Sequence, residues 1–272
     1  MEITVFGLDK RFGCAARTLA EYGFQTAFYA SGADLSPVLL LPLPASRDGA
    51  TVTGYPSVLL QDLLAARPRA VVGGNLSGNF ISSARRAGIA VRDYMDVEAF
   101  VLKNASLTAE AALGILLSDS PAAPRENPTA ILGFGRIGKF LCRVLLSLGC
   151  PVTVFARDPR DRVMATLIGA KAKDTKTLTE SGALRGFRTL VNTVPARLVL
   201  REALADLPAG SLLLELASGD GNLPLPLPDG GVNFRRENGL PGRVFPESAG
   251  IALGETVCGL LRELFPNGIG KQ

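Results

Sequence analysis

Three glycines at Gly133, Gly135 and Gly138, set in T-A-I-L-G-F-G-R-I-G-K-F-L (129–141), constrain this chain more than any other feature. The apolar run A-I-L leads into them. After them, Ile137, Phe140, Leu141, Val144, Leu145 and Leu148 recur at the spacing of one helix face. Residues 136–148 therefore read as a helix, ended by Gly149. G-x-G-x-x-G between a strand and a helix is the dinucleotide-binding fingerprint. Gly133 permits the tight turn, Gly135 lets a pyrophosphate approach the backbone, and Gly138 lets the helix pack on the strand. The helix start offers N–H groups and partial positive charge to the phosphates. Phe134, Arg136 and Ile137 complete this part of the expected cofactor site. The alternative is a tight strand–helix turn with no ligand.

The next strand, P-V-T-V-F-A, ends at Ala156, Arg157 and Asp158. An acid there accepts from the ribose diol of NAD, whereas a guanidinium suits the 2′-phosphate of NADP. Arg157, nineteen residues after Gly138, favours NADP(H), with Arg160 or Arg162 as helpers. NAD(H) stays open if Asp158 serves the ribose. Further strands are expected at 189–193 and 211–217. Their ends, Thr193, Val194 and Pro195 in N-T-V-P-A and Ala217 and Ser218 in E-L-A-S, suit a nicotinamide beyond the carboxyl edge of a parallel sheet.

The fingerprint begins at residue 129, so a whole domain precedes it. Strands are expected at 3–7, 24–30, 38–41, 70–74 and 89–93, and helices at 11–22, 57–66 and 80–87. Alternation of this kind predicts an α/β fold with parallel sheets covered on both faces. The expected architecture is two doubly wound, Rossmann-like or flavodoxin-like domains with a cleft between them. Residues 1–102 form the substrate-side domain and 103–248 the dinucleotide-binding domain. A buried linking helix covers 106–118, within a helical stretch of 97–118 broken near Asn104. A last helix from 249 packs back on the first domain within 249–272, and its tail frays. Residues 219–238 give no clear element.

Hydrophobic residues make up 47% of the 272, enough for a proper core. No uninterrupted apolar stretch reaches the length of a membrane span, and an acid follows the initiator Met where a signal peptide needs basic residues. A cytoplasmic protein is expected, without membrane association. The net charge of +4, without a basic run, gives nucleic-acid binding little support and suits an anionic small ligand. The four cysteines form no C-x-x-C pair and there is no histidine, so no metal site is expected. Catalysis must use carboxylates, Lys, Tyr, Cys, water or the cofactor.

Several motifs recur in one family's order: N-A-S-L-T-A-E-A-A (104–112), I-L-G-F-G-R-I-G, V-F-A-R-D, V-N-T-V-P-A, E-L-A-S and N-G-L-P-G-R-V-F-P-E-S-A-G (238–250). The chain resembles the A subunit of dipicolinate synthase from spore-forming bacteria, most closely over 104–262. In layout it is more distantly similar to D-2-hydroxyacid dehydrogenases. The resemblance implies NADP-linked oxidation of dihydrodipicolinate to dipicolinate during sporulation, in the mother-cell cytoplasm, with a flavoprotein-like second subunit. Two carboxylates on one substrate need cationic or N–H partners. Arg11, Lys103 and Arg243 are the candidates, with Asn104 and Thr108 beside them. Asp9 and Glu110 are candidate catalytic carboxylates, and the catalytic residue itself is not assigned.

The chain departs from the family pattern at Leu8, Leu107 and Ala111, at G-D-G-N-L-P after E-L-A-S, and at Glu247, where the family has Lys. Two other readings therefore stand: a dehydrogenase of another small carboxylate, and a non-catalytic dinucleotide-binding subunit. The apolar helix is compatible with burial in the chain or in a homo-oligomer.

Overall fold

The computed structural model describes residues 1–120, 122–219, 222–224, 226–227 and 231–266. Asp220 and Gly221, in the segment that departs from the family pattern, and the tail from residue 267 lie outside them. The chain divides into two compact units, Met1–Asn104 with Pro241–Gln272, and Ala105–Leu240.

The first unit runs β1 (Glu2–Val5), α1 (Lys10–Glu21), β2 (Gln25–Phe28), β3 (Val38–Leu40), β4 (Thr51–Val52), β5 (Tyr55–Leu59), α2 (Leu60–Ala65), β6 (Ala70–Gly73), α3 (Gly78–Arg86) and β7 (Ala90–Asp93). The helix α4 (Glu98–Asp119) carries the boundary. The second unit continues with β8 (Thr129–Leu132), α5 (Arg136–Ser147), β9 (Val152–Phe155), α6 (Pro159–Leu167), β10 (Lys171–Lys173), β11 (Thr189–Asn192), α7 (Arg201–Leu204), β12 (Leu212–Glu215) and β13 (Asn233–Arg236). α8 (Leu240–Val244) and α9 (Pro246–Leu264) return the chain to the first unit.

Each unit has its own all-parallel sheet. The first orders its strands β2-β1-β3-β6-β7, with the antiparallel hairpin β4–β5 apart from it. The second orders them β10-β9-β8-β11-β12-β13. These are the flavodoxin-like and dinucleotide-binding orders, reversing at β1/β3 and at β8/β11 respectively. Successive strand residues face opposite layers. Val38 and Leu40 join a core with Phe12, Ala15 and Leu19 of α1 and Leu253, Val257 and Leu261 of α9. Leu39 and Leu41 join a second core with Leu60, Leu63, Phe80 and Ala84 of α2 and α3. In the second unit, Leu132, Phe155, Leu190 and Leu213 pack with Leu178, Leu184, Val199 and Leu204.

The structure corrects several local expectations. Residues 57–59 continue β5 instead of starting a helix. Gly54, at φ 84°, turns the hairpin, and the Tyr55 ring meets Phe6 and Tyr29 edge-on at 5.4 and 5.5 Å. α4 is unbroken at Asn104, since no proline interrupts its ladder. Within the unassigned segment 219–238, β13 pairs with β12 as an edge strand whose charged side chains hide its pattern. α9 starts at Pro246, a residue suited to a helix's first position. Among the described residues α4 alone is long and apolar enough to cross a membrane, and 44% of its most apolar stretch is buried inside the fold.

Candidate functional site

The glycine loop joins β8 to α5, beside the strand-order reversal. Gly133 has φ 93°, and a Cβ there would lie 2.4 Å from Val194 Cγ2 and 2.7 Å from Thr193 Oγ1. A Cβ on Gly138 would lie 2.4 Å from the Gly133 carbonyl oxygen. Both positions are closed to side chains by packing. Gly135 differs, because a Cβ there meets nothing within 4 Å. It is also the N-cap of α5 and provides no side-chain cap. Asp9, Ser77 and Asp158 cap α1, α3 and α6 with their side chains. The start of α5 is thus left open and uncapped beside an exposed backbone. That arrangement fits the pyrophosphate of a dinucleotide.

At the end of β9 the charged groups divide their tasks. Asp158 accepts from the Arg160 backbone N–H at 2.8 Å, capping α6, and from the Arg160 guanidinium at 2.8 Å. These bonds hold its carboxyl below the usual range. Arg162 donates to the carbonyls of Ala156 and Arg157, both at 2.8 Å, and pairs with Asp174 at 2.9 Å. Arg162 therefore braces the turn. Arg157 is exposed, and among the described residues no hydrogen bond or ion pair holds its guanidinium.

The far strands end in a polar row. Asn192, Glu215 and Arg236 are lateral neighbours across β11, β12 and β13. Asn192 Nδ2 donates to the Glu215 carboxylate at 3.0 Å, and the Ala217 backbone N–H donates to Glu215 Oε1 at 2.9 Å. Burial pushes the Glu215 carboxyl above its ordinary value, opposed by bonds from Asn192 and Ala217 and by the Arg236 charge. A raised folded value means that this contribution to stability is complete below the unfolded-chain value. It is lost as pH rises through the folded one. Chemical denaturation of Glu215→Gln across pH is expected to lack that loss. A slope equal to wild type would show that Glu215 does not cause it.

Asn192 and Glu215 fall inside strand-end motifs, but sequence reasoning assigned them no role. The available signal was a lone amide and a lone carboxylate closing apolar strands. Of the expected cofactor residues, Gly133, Phe134, Gly138, Ala156 and Ala217 are buried, while Gly135, Arg136, Pro195 and Ser218 are exposed.

The remaining candidates are distributed more widely. Asp9 caps α1 through Arg11 N–H at 3.0 Å and pairs with Arg11 Nη2 at 2.8 Å. Arg11 is only 5% exposed, and its buried Nε has no hydrogen-bond partner. A Cβ on Gly242 would lie 3.1 Å from both side chains, so Gly242 sits close against the pair. On α4, Lys103 and Glu110 share one exposed face, with Glu110 accepting from Ser106 Oγ at 3.0 Å. Asn104 and Thr108 share another face, roughly 130° round the helix. The helix therefore does not bring all four together. Arg243 is exposed on α8. Glu247 is exposed in the first turn of α9, where a negative charge favours the helix.

Among the described residues no cluster of His, Cys, Asp and Glu could hold a metal. All four cysteines are free and buried. Burial pushes the Cys142 thiol up to about 11, away from thiolate reactivity.

No family model and no curated protein matches the sequence. Solved structures do match. The A subunit of dipicolinate synthase from Bacillus halodurans superimposes with a TM-score of 0.82 at 21% identity, over 96% of this chain and 97% of that one. Its counterpart from Bacillus subtilis gives 0.82 at 22%, over 98% of both. The transhydrogenase of Sinorhizobium meliloti gives 0.69 at 16%, over 97% of this chain and 93% of that one. The chain has the fold of these dipicolinate synthase A subunits, within a wider group of dehydrogenase structures.

Proposed function

We propose that this chain is an NADP(H)-linked oxidoreductase of the kind formed by the A subunit of dipicolinate synthase, oxidising dihydrodipicolinate to dipicolinate in the cytoplasm of a sporulating cell. One observation carries the cofactor choice. Asp158 is consumed as a helix cap, while Arg157 beside it remains exposed and uncommitted. A free guanidinium binds a 2′-phosphate with charge-assisted bonds, and a committed carboxylate has little left for a ribose diol. Gly135 and the start of α5 would hold the pyrophosphate. Thr193, Val194, Pro195, Ala217 and Ser218 would line the other half of the site.

Bound at this site, NADP⁺ would supply the hydride acceptor, so that a dihydropyridine giving up a hydride and a proton would yield the aromatic dicarboxylate, NADPH and H⁺. Aromatisation supplies driving force, so the chain's task is orientation rather than acid–base work. This accords with a sequence that contains no histidine. Lys103 and Arg243, both exposed, are the candidate cations for the substrate carboxylates, whereas Asn104 and Thr108 lie on another face of α4 from Lys103. Arg11 and Asp9 serve structure in this reading, being buried and mutually paired. A flavoprotein-like second subunit belongs to the same proposal.

Glu247 favours a second reading, a non-catalytic dinucleotide-binding subunit, because it reverses the family's charge. Its place in the first turn of α9 supplies a structural reason for the acid, so the first reading stands ahead.

Arg157→Ala is expected to weaken NADPH about 10–100-fold, the worth of hydrogen bonds to a charged group, and to leave NADH unchanged. Titration of both cofactors checks this, and equal losses would refute the assignment. NADPH formation from NADP⁺ and dihydrodipicolinate, with and without the flavoprotein-like subunit, tests the activity. Cofactor binding without turnover in either arrangement would select the non-catalytic reading.

A further inference from the structure

The dinucleotide site has two halves, and the chain treats them differently. The order β10-β9-β8-β11-β12-β13 places the adenylate half over β8 to β10 and the nicotinamide half over β11 to β13. Local caps and Arg162 brace the first half. In the second half the bracing passes through two buried polar side chains.

Asn192 grips its own loop from both sides: Oδ1 accepts from Val194 N–H at 3.1 Å and Nδ2 donates to the Val194 carbonyl at 3.1 Å. Glu215 grips the next loop through Ala217 N–H, and Asn192 Nδ2 joins the two grips at 3.0 Å. Thr193 Oγ1 donates to the Leu132 carbonyl at 2.8 Å, which ties the same loop to the glycine turn. Asn192 is 1% exposed and Glu215 is fully buried. An amide and a carboxylate set in apolar strands are costly unless fully bonded. Once bonded, they fix a single arrangement of the loops that they join.

We infer that Asn192 and Glu215 are a positioning pair, setting the 193–195 and 216–218 loops so that the nicotinamide half of the cofactor binds in one pose, with no part in holding the adenylate half. This rests on the dinucleotide reading above and extends it to two residues that lie below the binding surface.

The test compares NADPH with adenosine 2′,5′-bisphosphate, which carries only the adenylate half. Asn192→Asp sets two carboxylates against each other. The double variant Asn192→Asp/Glu215→Gln restores a donor–acceptor pair with its polarity exchanged. The single variant is expected to bind NADPH at least tenfold more weakly, about the worth of one bond to a charged group. It is expected to bind the bisphosphate within about twofold of wild type, and the double variant to recover part of the lost NADPH affinity, because the cross-strand bond returns while the Val194 carbonyl still lacks its donor. If Asn192→Asp does not fold, the isosteric Glu215→Gln decides, with several-fold weaker NADPH and unchanged bisphosphate expected. Unchanged NADPH binding, or parallel loss of both ligands, would overturn the inference. Wild-type protein that binds neither ligand would instead bring down the dinucleotide reading, and the inference with it.

Discussion

Gly250→Ala is expected to lower the midpoint of thermal unfolding by about 6–12 °C, although it adds one methyl group. Alanine is the better helix former, so propensity alone predicts the opposite sign. Packing decides. A Cβ on Gly250 would lie 2.3 Å from Cys14 Cβ and 2.5 Å from the Arg11 carbonyl oxygen. Neither atom belongs to the end of a flexible chain, so α1 and α9 must separate. One turn on, a Cβ on Gly254 would lie 2.7 Å from Thr18 Cβ. Overpacking of this kind costs roughly 3 kcal/mol. Gly259, on the same helix, is the control, because a Cβ there meets nothing within 4 Å. Gly259→Ala is expected to stabilise by about 0.5–1 kcal/mol. Opposite signs at Gly250 and Gly259 in one calorimetric series would establish the α1–α9 approach. A common sign would contradict it.

The second large effect concerns the glycine loop. Gly138→Ala forces a methyl carbon to within 2.4 Å of the Gly133 oxygen, which is backbone in a tight turn. The start of α5 must lift, and NADPH affinity is expected to fall roughly 100-fold, equivalent to about 3 kcal/mol. Unfolding should register the same strain. Gly135→Ala separates binding from folding, because its Cβ enters open space and the fold should keep its stability. The methyl then stands where a pyrophosphate must approach, and binding is expected to fall all the same. If Gly135→Ala binds NADPH like wild type, the open face at α5 is not where the phosphates lie.

The legible parts of the fold were those with strong periodicity or punctuation. The six-residue apolar series of α5, ended by Gly149, announced both the helix and its partner strands. The stretch at 107–117, apolar nearly all round, predicted burial, which holds for Leu107, Ala109, Ala111, Ala112 and Leu116 but not for Leu117, 52% exposed. β13 stayed hidden because an edge strand needs no apolar run, and N-F-R-R carries two charges. The hairpin β4–β5 stayed hidden because its ring contacts with Phe6 and Tyr29 are tertiary. The site shows the same division. The glycines are legible because their chemistry is local and spaced along one loop. Glu215 and Asn192 are far apart in sequence, and only the strand register sets them side by side. The commitment of Asp158 to a cap was written in D-P-R as a helix start. That same acid also fits the ribose pattern, and only hydrogen-bond geometry separates the two.

The measurement closest to the central claim is thermal unfolding of the intact chain with NADPH, with NADH and with neither. At about 100 times its Kd a ligand adds roughly 2.7 kcal/mol to stability. In a chain of this size that raises the midpoint by about 5–10 °C. The predicted result is that rise with NADPH, little with NADH, and none with NADPH once Arg157 is alanine. No rise with either cofactor would contradict the claim that the mid-chain glycine loop holds a dinucleotide. A rise with NADH alone would contradict the role given to Arg157.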